Sequence, residues 1–138
     1  MKAHIAGAQK PLALLYRLPE ALPGGAALRA ALAALGIGWA EVDDEKLSCS
    51  VGFLAGMGGR QAAPYKGEAP DTKLLLMSGF QKKQLSALLD ALREAGADIP
   101  LKAVVTKHNK TWSALELLAE LRREKAEVEK LADGEEEA

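Results

Sequence analysis

The feature that most constrains the fold is a pattern of strand, helix, glycine and strand that occurs twice, over residues 12–43 and 73–106. In each copy, a helix-like segment follows a short apolar run and ends at a glycine, Gly36 in the first and Gly96 in the second. The pattern is typical of a βαβ unit, in which the helix crosses the sheet and the two strands are parallel. The sequence therefore predicts two such units, joined by residues 44–72.

The apolar patterns also predict which strands are central. Four strands are predicted, at residues 12–18, 37–43, 73–79 and 101–106. The first and third are nearly continuous apolar runs, as expected for strands covered on both faces, whereas the second and fourth are mixed and fit the edges. We predict an α/β fold with a small four-stranded, mostly parallel sheet in the order 2-1-3-4 and helices on both faces. A ferredoxin-like α+β arrangement is the alternative, because the joining segment fits either topology.

The last helix carries its own start signal. Ser113 and Glu116 have the spacing of a capping box, in which each side chain bonds a free backbone N–H at the helix start. The expected buried stripe of this helix is Leu117, Leu118, Leu121 and Val128.

Length and composition fit one domain. The chain has 138 residues, of which 49% are hydrophobic, enough for a single core. We predict one α/β domain over residues 1–132, with halves 12–43 and 73–131, followed by a disordered acidic tail at 133–138. The net charge of -1 and the absence of an apolar run of ~18 residues argue against nucleic-acid and membrane partners. A single cysteine without a secretory signal points to a cytoplasmic protein, as a monomer or a homodimer.

Motifs for catalysis are missing from the sequence. Two histidines, His4 and His108, lack the spacing of metal ligands, so no metal site is predicted. Cys49 lies on an apolar segment, where a small buried thiol is the expected outcome. The glycines of residues 56–59 match neither common phosphate-binding motif. These observations favour a non-enzymatic binding or regulatory module with no cofactor.

Two alternatives to a simple binding module remain. Asp43 and Asp44 end the second predicted strand, and Thr106 and Lys107 end the fourth, so a parallel sheet would bring them to one edge. Such groups suit a small phosphate-handling enzyme, although Ser78 stands where the central strand would need an acceptor aspartate. The other alternative is a homodimeric interaction module that uses an edge strand or the last helix.

The segment between the fourth strand and the last helix is the predicted ligand site. Asn109 is expected to close a turn, Thr111 or Ser113 to cap the helix, and Trp112 to anchor it as a largely buried side chain. The basic side chains then lie near a helix N-terminus, which favours negative charge. The predicted site for an anionic small molecule or protein partner consists of Lys107, His108, Lys110, Asn109, Ser78 and Thr106.

Three stretches of the second half match a known pattern: LLLMSGF, the leucines and AG of residues 85–96, and IPLKAVVTKHNKTW. Together they resemble an uncharacterised bacterial family, domain-of-unknown-function family 3783. The resemblance is strongest over residues 73–121. It implies a shared fold but no reaction, so it supplies no catalytic residues.

Overall fold

The strands and helices follow the apolar patterns of the sequence. The computed structural model describes residues 10–59 and 61–137, with the backbone alone for 132–137. The strands are β1 (Leu12–Tyr16), β2 (Gly38–Val42), β3 (Leu74–Ser78) and β4 (Leu101–Val104). The helices are α1 (Pro23–Ala34), α2 (Val51–Leu54), α3 (Lys82–Glu94) and α4 (Ala114–Glu137), and a 3-10 helix occupies Asp44–Ser48.

The sheet has the predicted strand order, β2-β1-β3-β4. Two of its three neighbouring pairs, β1 with β2 and β3 with β4, are parallel. The central pair is antiparallel, with Leu12 of β1 opposite Ser78 of β3 and Tyr16 opposite Leu74. An antiparallel central pair is the feature expected of the ferredoxin-like alternative, but the strand order of that fold is not found, because a split βαβ unit has another strand between its parallel strands and here they are neighbours.

The antiparallel central pair separates two groups of strand ends that a fully parallel sheet would bring together. The carboxyl ends of β1 and β2 lie at one edge of the sheet, and those of β3 and β4 lie at the opposite edge. Asp43 and Asp44 therefore lie far from Thr106 and Lys107 across the sheet. The prediction that these four residues share one edge is wrong, and the phosphate-handling site built on it is lost.

Apolar residues cover both faces of the sheet, because side chains alternate along β1 and β3. Ala13, Leu15, Leu75 and Met77 pack on one face against α1 and α3. On the other face, Leu14, Tyr16, Leu74 and Leu76 pack against the 3-10 helix, α2 and α4. All five residues of β3 are buried, which confirms its predicted central position.

The two halves turn at equivalent points. Gly36 and Gly96 follow α1 and α3 with φ of 71° and 69°, the left-handed conformation that ends many helices. Each central strand is also followed by a left-handed residue, Arg17 after β1 and Gly79 after β3. Glycine adopts this conformation without cost, whereas a residue with a Cβ is strained by about 1–2 kcal/mol.

The joining segment, residues 44–72, contains the 3-10 helix and α2 and is hydrogen-bonded to the start of α4. Asp43 caps the 3-10 helix by accepting a hydrogen bond from the Lys46 backbone N–H. Ser50 caps α2 in the same way and forms a β-bridge with Ser113. Cys49 between them is a buried free thiol, as predicted.

The last helix begins as predicted, but only its first turns pack against the rest of the fold. Ser113 and Glu116 form the expected capping box, with reciprocal bonds of 2.9 and 3.0 Å. Leu117 and Leu118 are buried, but Val128 is 64% exposed, so its predicted burial is wrong. The backbone of α4 continues to Glu137. The disorder expected for the acidic tail at 133–138 stays a prediction. No helix within the described ranges is long and apolar enough to cross a membrane.

These packing differences predict which leucines of α4 matter for stability. Leu118→Ala should lower the free energy of unfolding by about 2–5 kcal/mol, because Leu118 is fully buried and its truncation leaves a cavity. Leu131→Ala is the matched control and should change it by less than about 0.5 kcal/mol, since Leu131 is 69% exposed. Urea unfolding measures both. Equal losses would mean that the outer part of α4 packs against something in solution.

Candidate functional site

The segment after β4 is a turn held by its own side chains. The Asn109 side-chain oxygen accepts a hydrogen bond from the Thr106 backbone N–H at 2.8 Å, and the Thr106 hydroxyl accepts one from the Asn109 backbone N–H at 3.1 Å. The Asn109 amide also donates to the Val104 carbonyl at 3.0 Å. Asn109 closes the turn as predicted. The side chains of Thr106 and Asn109 are therefore used to hold the turn together.

Backbone hydrogen bonds fix this turn against the joining segment. The N–H groups of Val51 and Gly52 donate to the carbonyls of Trp112 and Lys110, both at 2.8 Å. A Cβ on Gly52 would lie 3.0 Å from the Lys110 carbonyl oxygen, so this contact needs a glycine or a small backbone shift. The turn is therefore bound to the first turn of α2.

The basic side chains of the turn point to solvent. Lys107, His108 and Lys110 are exposed, and none of the ion pairs among the described residues includes them. The His108 ring packs edge-on against Trp112, with 5.3 Å between ring centroids. The structure thus brings three of the six predicted site residues together as available groups on one ordered turn.

The other predicted site residues are less available to a ligand. Ser78 is buried at the end of β3, beside the start of the turn, where the Val105 N–H donates to the Met77 carbonyl.

Two further side chains at the start of α4 have structural contacts. The Glu116 carboxylate accepts a hydrogen bond from the Ser113 N–H, and the pKa of Glu116 is lowered mainly by that bond. Trp112 is partly buried and packs against the core cluster on the α4 face, which agrees with its predicted role as an anchor of the helix.

An open cleft of about 800 Å³ lies at the opposite edge of the sheet, where β1 and β2 end. It was missed in the sequence because its walls come from three separate segments. Its lining residues are Leu15, Arg17, Leu18, Pro19, Leu22, Glu41, Val42, Asp43, Asp44, Asp71, Thr72 and Lys73. The size falls in the usual range of small-molecule sites, about 300–1,000 Å³.

Arg17 contacts side chains from the other two segments that line the cleft. Its guanidinium pairs with the Asp44 carboxylate at 3.1 Å and with that of Asp71 at 3.5 Å. It also lies over the Tyr16 ring, 5.6 Å from the centroid, and the Tyr16 hydroxyl donates to Asp44 at 2.9 Å. Arg17 follows β1, Asp44 begins the 3-10 helix and Asp71 precedes β3, so one side chain joins three segments.

These contacts shift the titration of the groups that make them. The hydrogen bonds from Arg17 and then Tyr16 lower the pKa of the Asp44 carboxyl. The pKa of Tyr16 is raised, first by burial, which disfavours the phenolate, and next by the bond to Asp44, while Arg17 opposes the rise. Within the described ranges, no three His, Cys, Asp or Glu side chains converge so as to hold a metal ion.

The shift at Asp44 predicts an acid-dependent loss of stability. The folded-state pKa of this carboxyl is lowered, so its full contribution to stability is present above its ordinary pKa of about 3.9. That contribution is lost as the pH falls through the folded-state pKa. The native chain should therefore be more stable than Asp44→Asn at neutral pH, and the difference should vanish in acid. Urea unfolding across pH measures this, with Asp98→Asn as an exposed control. A difference that persists in acid would contradict the charge pairing.

The shift at Tyr16 predicts a late phenol titration. The chain has two tyrosines, so Tyr65→Phe leaves Tyr16 as the only phenol. Its raised folded-state pKa means that its contribution to stability is present below the ordinary phenol pKa of about 10 and is lost as pH rises through the folded-state value. Phenolate absorbance should rise with a midpoint above that of the same variant unfolded in urea. Coincident midpoints would contradict the burial and the bond to Asp44.

Comparison with known proteins finds a similarity only for the second half of the chain. No curated protein and no solved structure matches the sequence. Residues 73–128 match the family described as "Domain of unknown function (DUF3783)", a segment that runs from β3 into α4 and includes the basic turn. This match confirms the resemblance seen in the sequence. The second half of the chain is therefore similar to a domain-of-unknown-function family, and the match assigns no function.

Proposed function

We propose that this protein is a non-enzymatic binding module that captures an anionic group, a phosphate or a carboxylate, on the turn after β4. The observation that carries the proposal is the display of Lys107, His108 and Lys110 on one ordered turn. All three are exposed, and no ion pair among the described residues includes them.

The order of the turn supports binding. The bonds between Thr106 and Asn109, and those from the α2 backbone to the turn, hold its backbone before any ligand arrives. Preorganisation lowers the ordering cost of association and so favours binding. The lysines supply point charges for an oxyanion, and the imidazole supplies a directional donor.

Of the six predicted residues, we retain three as ligand contacts. Thr106 and Asn109 act as supports, because their side chains close the turn. Ser78 is buried at the strand end, so it too is assigned to support. We further propose a cytoplasmic location, supported by Cys49, the only cysteine, which is a buried free thiol. Homodimerisation stays a prediction.

The test compares anions at fixed ionic strength. We expect phosphate to raise the melting temperature of the native chain more than chloride does, and this excess to disappear in the double variant Lys107→Ala with Lys110→Ala. Ligand binding to the folded state alone raises stability by mass action, so specific capture gives a saturable shift.

A matched control separates capture from general charge screening. Lys125→Ala with Lys130→Ala removes the same charge from the exposed part of α4 and should keep the phosphate-specific shift. Equal responses to phosphate and chloride in all three proteins would remove the anion site. A loss of the shift in both double variants would assign it to net charge.

A further inference from the structure

The cleft at the carboxyl edge of β1 and β2 has the layout of a second binding site. Its apolar wall comes from the end of β1 and the segment before α1, with Leu18 buried and Leu22 37% exposed. An exposed leucine beside a concave surface offers an apolar area that a ligand can cover. This edge is opposite the basic turn, so the two surfaces are independent.

Carboxylates dominate the charge around the cleft. Four of its lining residues, Glu41, Asp43, Asp44 and Asp71, are acidic, whereas only Arg17 and Lys73 are basic. A concave surface with an excess of one charge concentrates ligands of the opposite charge. The cleft therefore favours a cation.

Two of the four carboxylates remain available to a ligand. Asp44 is engaged by Arg17 and Tyr16, and Glu41 pairs with Arg29 at 2.9 Å. Asp43 is exposed and accepts a backbone N–H at 3.2 Å, which leaves acceptor capacity on its carboxylate. The Asp71 side chain is fully exposed and is held only by the 3.5 Å contact with Arg17.

The same arrangement selects a large cation over a metal ion. The acidic groups of the described chain do not converge as a metal site requires, and the cleft is far larger than a single ion. An ammonium or guanidinium group has several donors that can reach separated carboxylates. An attached apolar group would cover the Leu18 and Leu22 side of the cleft.

The conformation of Arg17 adds to this interpretation. At the equivalent point after β3 the chain has Gly79, which is free of strain, but after β1 it has an arginine with φ of 55°. Strained residues of this kind persist where surrounding contacts hold them, often at ligand sites. Here the ion pair and hydrogen bonds with Asp44 hold the residue and fix its side chain at the cleft.

We propose that this cleft binds a small organic cation, an ammonium or guanidinium-type group attached to an apolar group, with Asp43 and Asp71 as its charged contacts and Leu18 and Leu22 as its apolar contacts. Arg17 positions the walls and does not contact the cation.

The first experiment uses the native chain with benzamidine as the cationic probe and benzoate as a size-matched anion, at fixed ionic strength. In amide-resolved nuclear magnetic resonance titrations, benzamidine should give saturable shifts at residues 17–22, 41–44 and 71–73. Benzoate should leave these residues unchanged. Equal shifts with both probes, or non-saturable shifts with benzamidine, would overturn the proposal.

The second experiment removes the two charged contacts. Asp43→Asn with Asp71→Asn should weaken benzamidine at least about tenfold, the loss expected from removing a charge-assisted hydrogen bond. The side-chain amide oxygen that this change introduces at position 43 can still cap the 3-10 helix, so the fold should persist. Glu68→Gln with Asp98→Asn removes the same charge from exposed positions elsewhere and should bind as the native chain does. Equal weakening in both double variants would reduce the effect to net charge and overturn the site.

Discussion

The antiparallel pairing of β1 with β3 is the constraint on which the rest of this structure depends. Each half is a parallel βαβ unit with its own carboxyl edge, and the central pair turns those edges away from each other. In open sheets, ligands bind outside the carboxyl ends of strands. A sheet built from two opposed units therefore has two such places, here the acidic cleft and the basic turn.

The joining segment makes this arrangement stable on one face. Its 3-10 helix and α2 pack with α4 over the sheet, through Leu47, Val51 and Leu118. Arg17 ties the start of the segment and its end to β1, through Asp44 and Asp71. At the other edge, backbone bonds from Val51 and Gly52 hold the basic turn. One segment thus supports both candidate surfaces, although neither includes its apolar core residues.

The strand order and the two-sided core could be predicted from the sequence, because β1 and β3 are continuous apolar runs and only central strands need them. The direction of β3 relative to β1 could not, since residues 44–72 are long enough for either direction. That uncertainty misplaced Asp43 and Asp44 relative to Thr106. The turn was predictable because Asn109 and the Ser113 capping box are local signals. The cleft was not, because the left-handed Arg17 and its partners at Asp44 and Asp71 are distant in sequence. Val128 was misjudged because helical spacing shows which side of α4 a residue occupies, but not where the body of the fold ends.

The most direct test of this account is the direction of the central strand pair in solution. Antiparallel strands bring Hα atoms of opposing residues together at the closely spaced pairs, a contact that parallel strands lack. Nuclear Overhauser spectra of the labelled chain should show Hα–Hα contacts at alternating pairs of the register Leu12–Ser78 to Tyr16–Leu74. Contacts in a parallel register, with Leu12 near Leu74 and Tyr16 near Ser78, would contradict it and would return both candidate surfaces to a single edge.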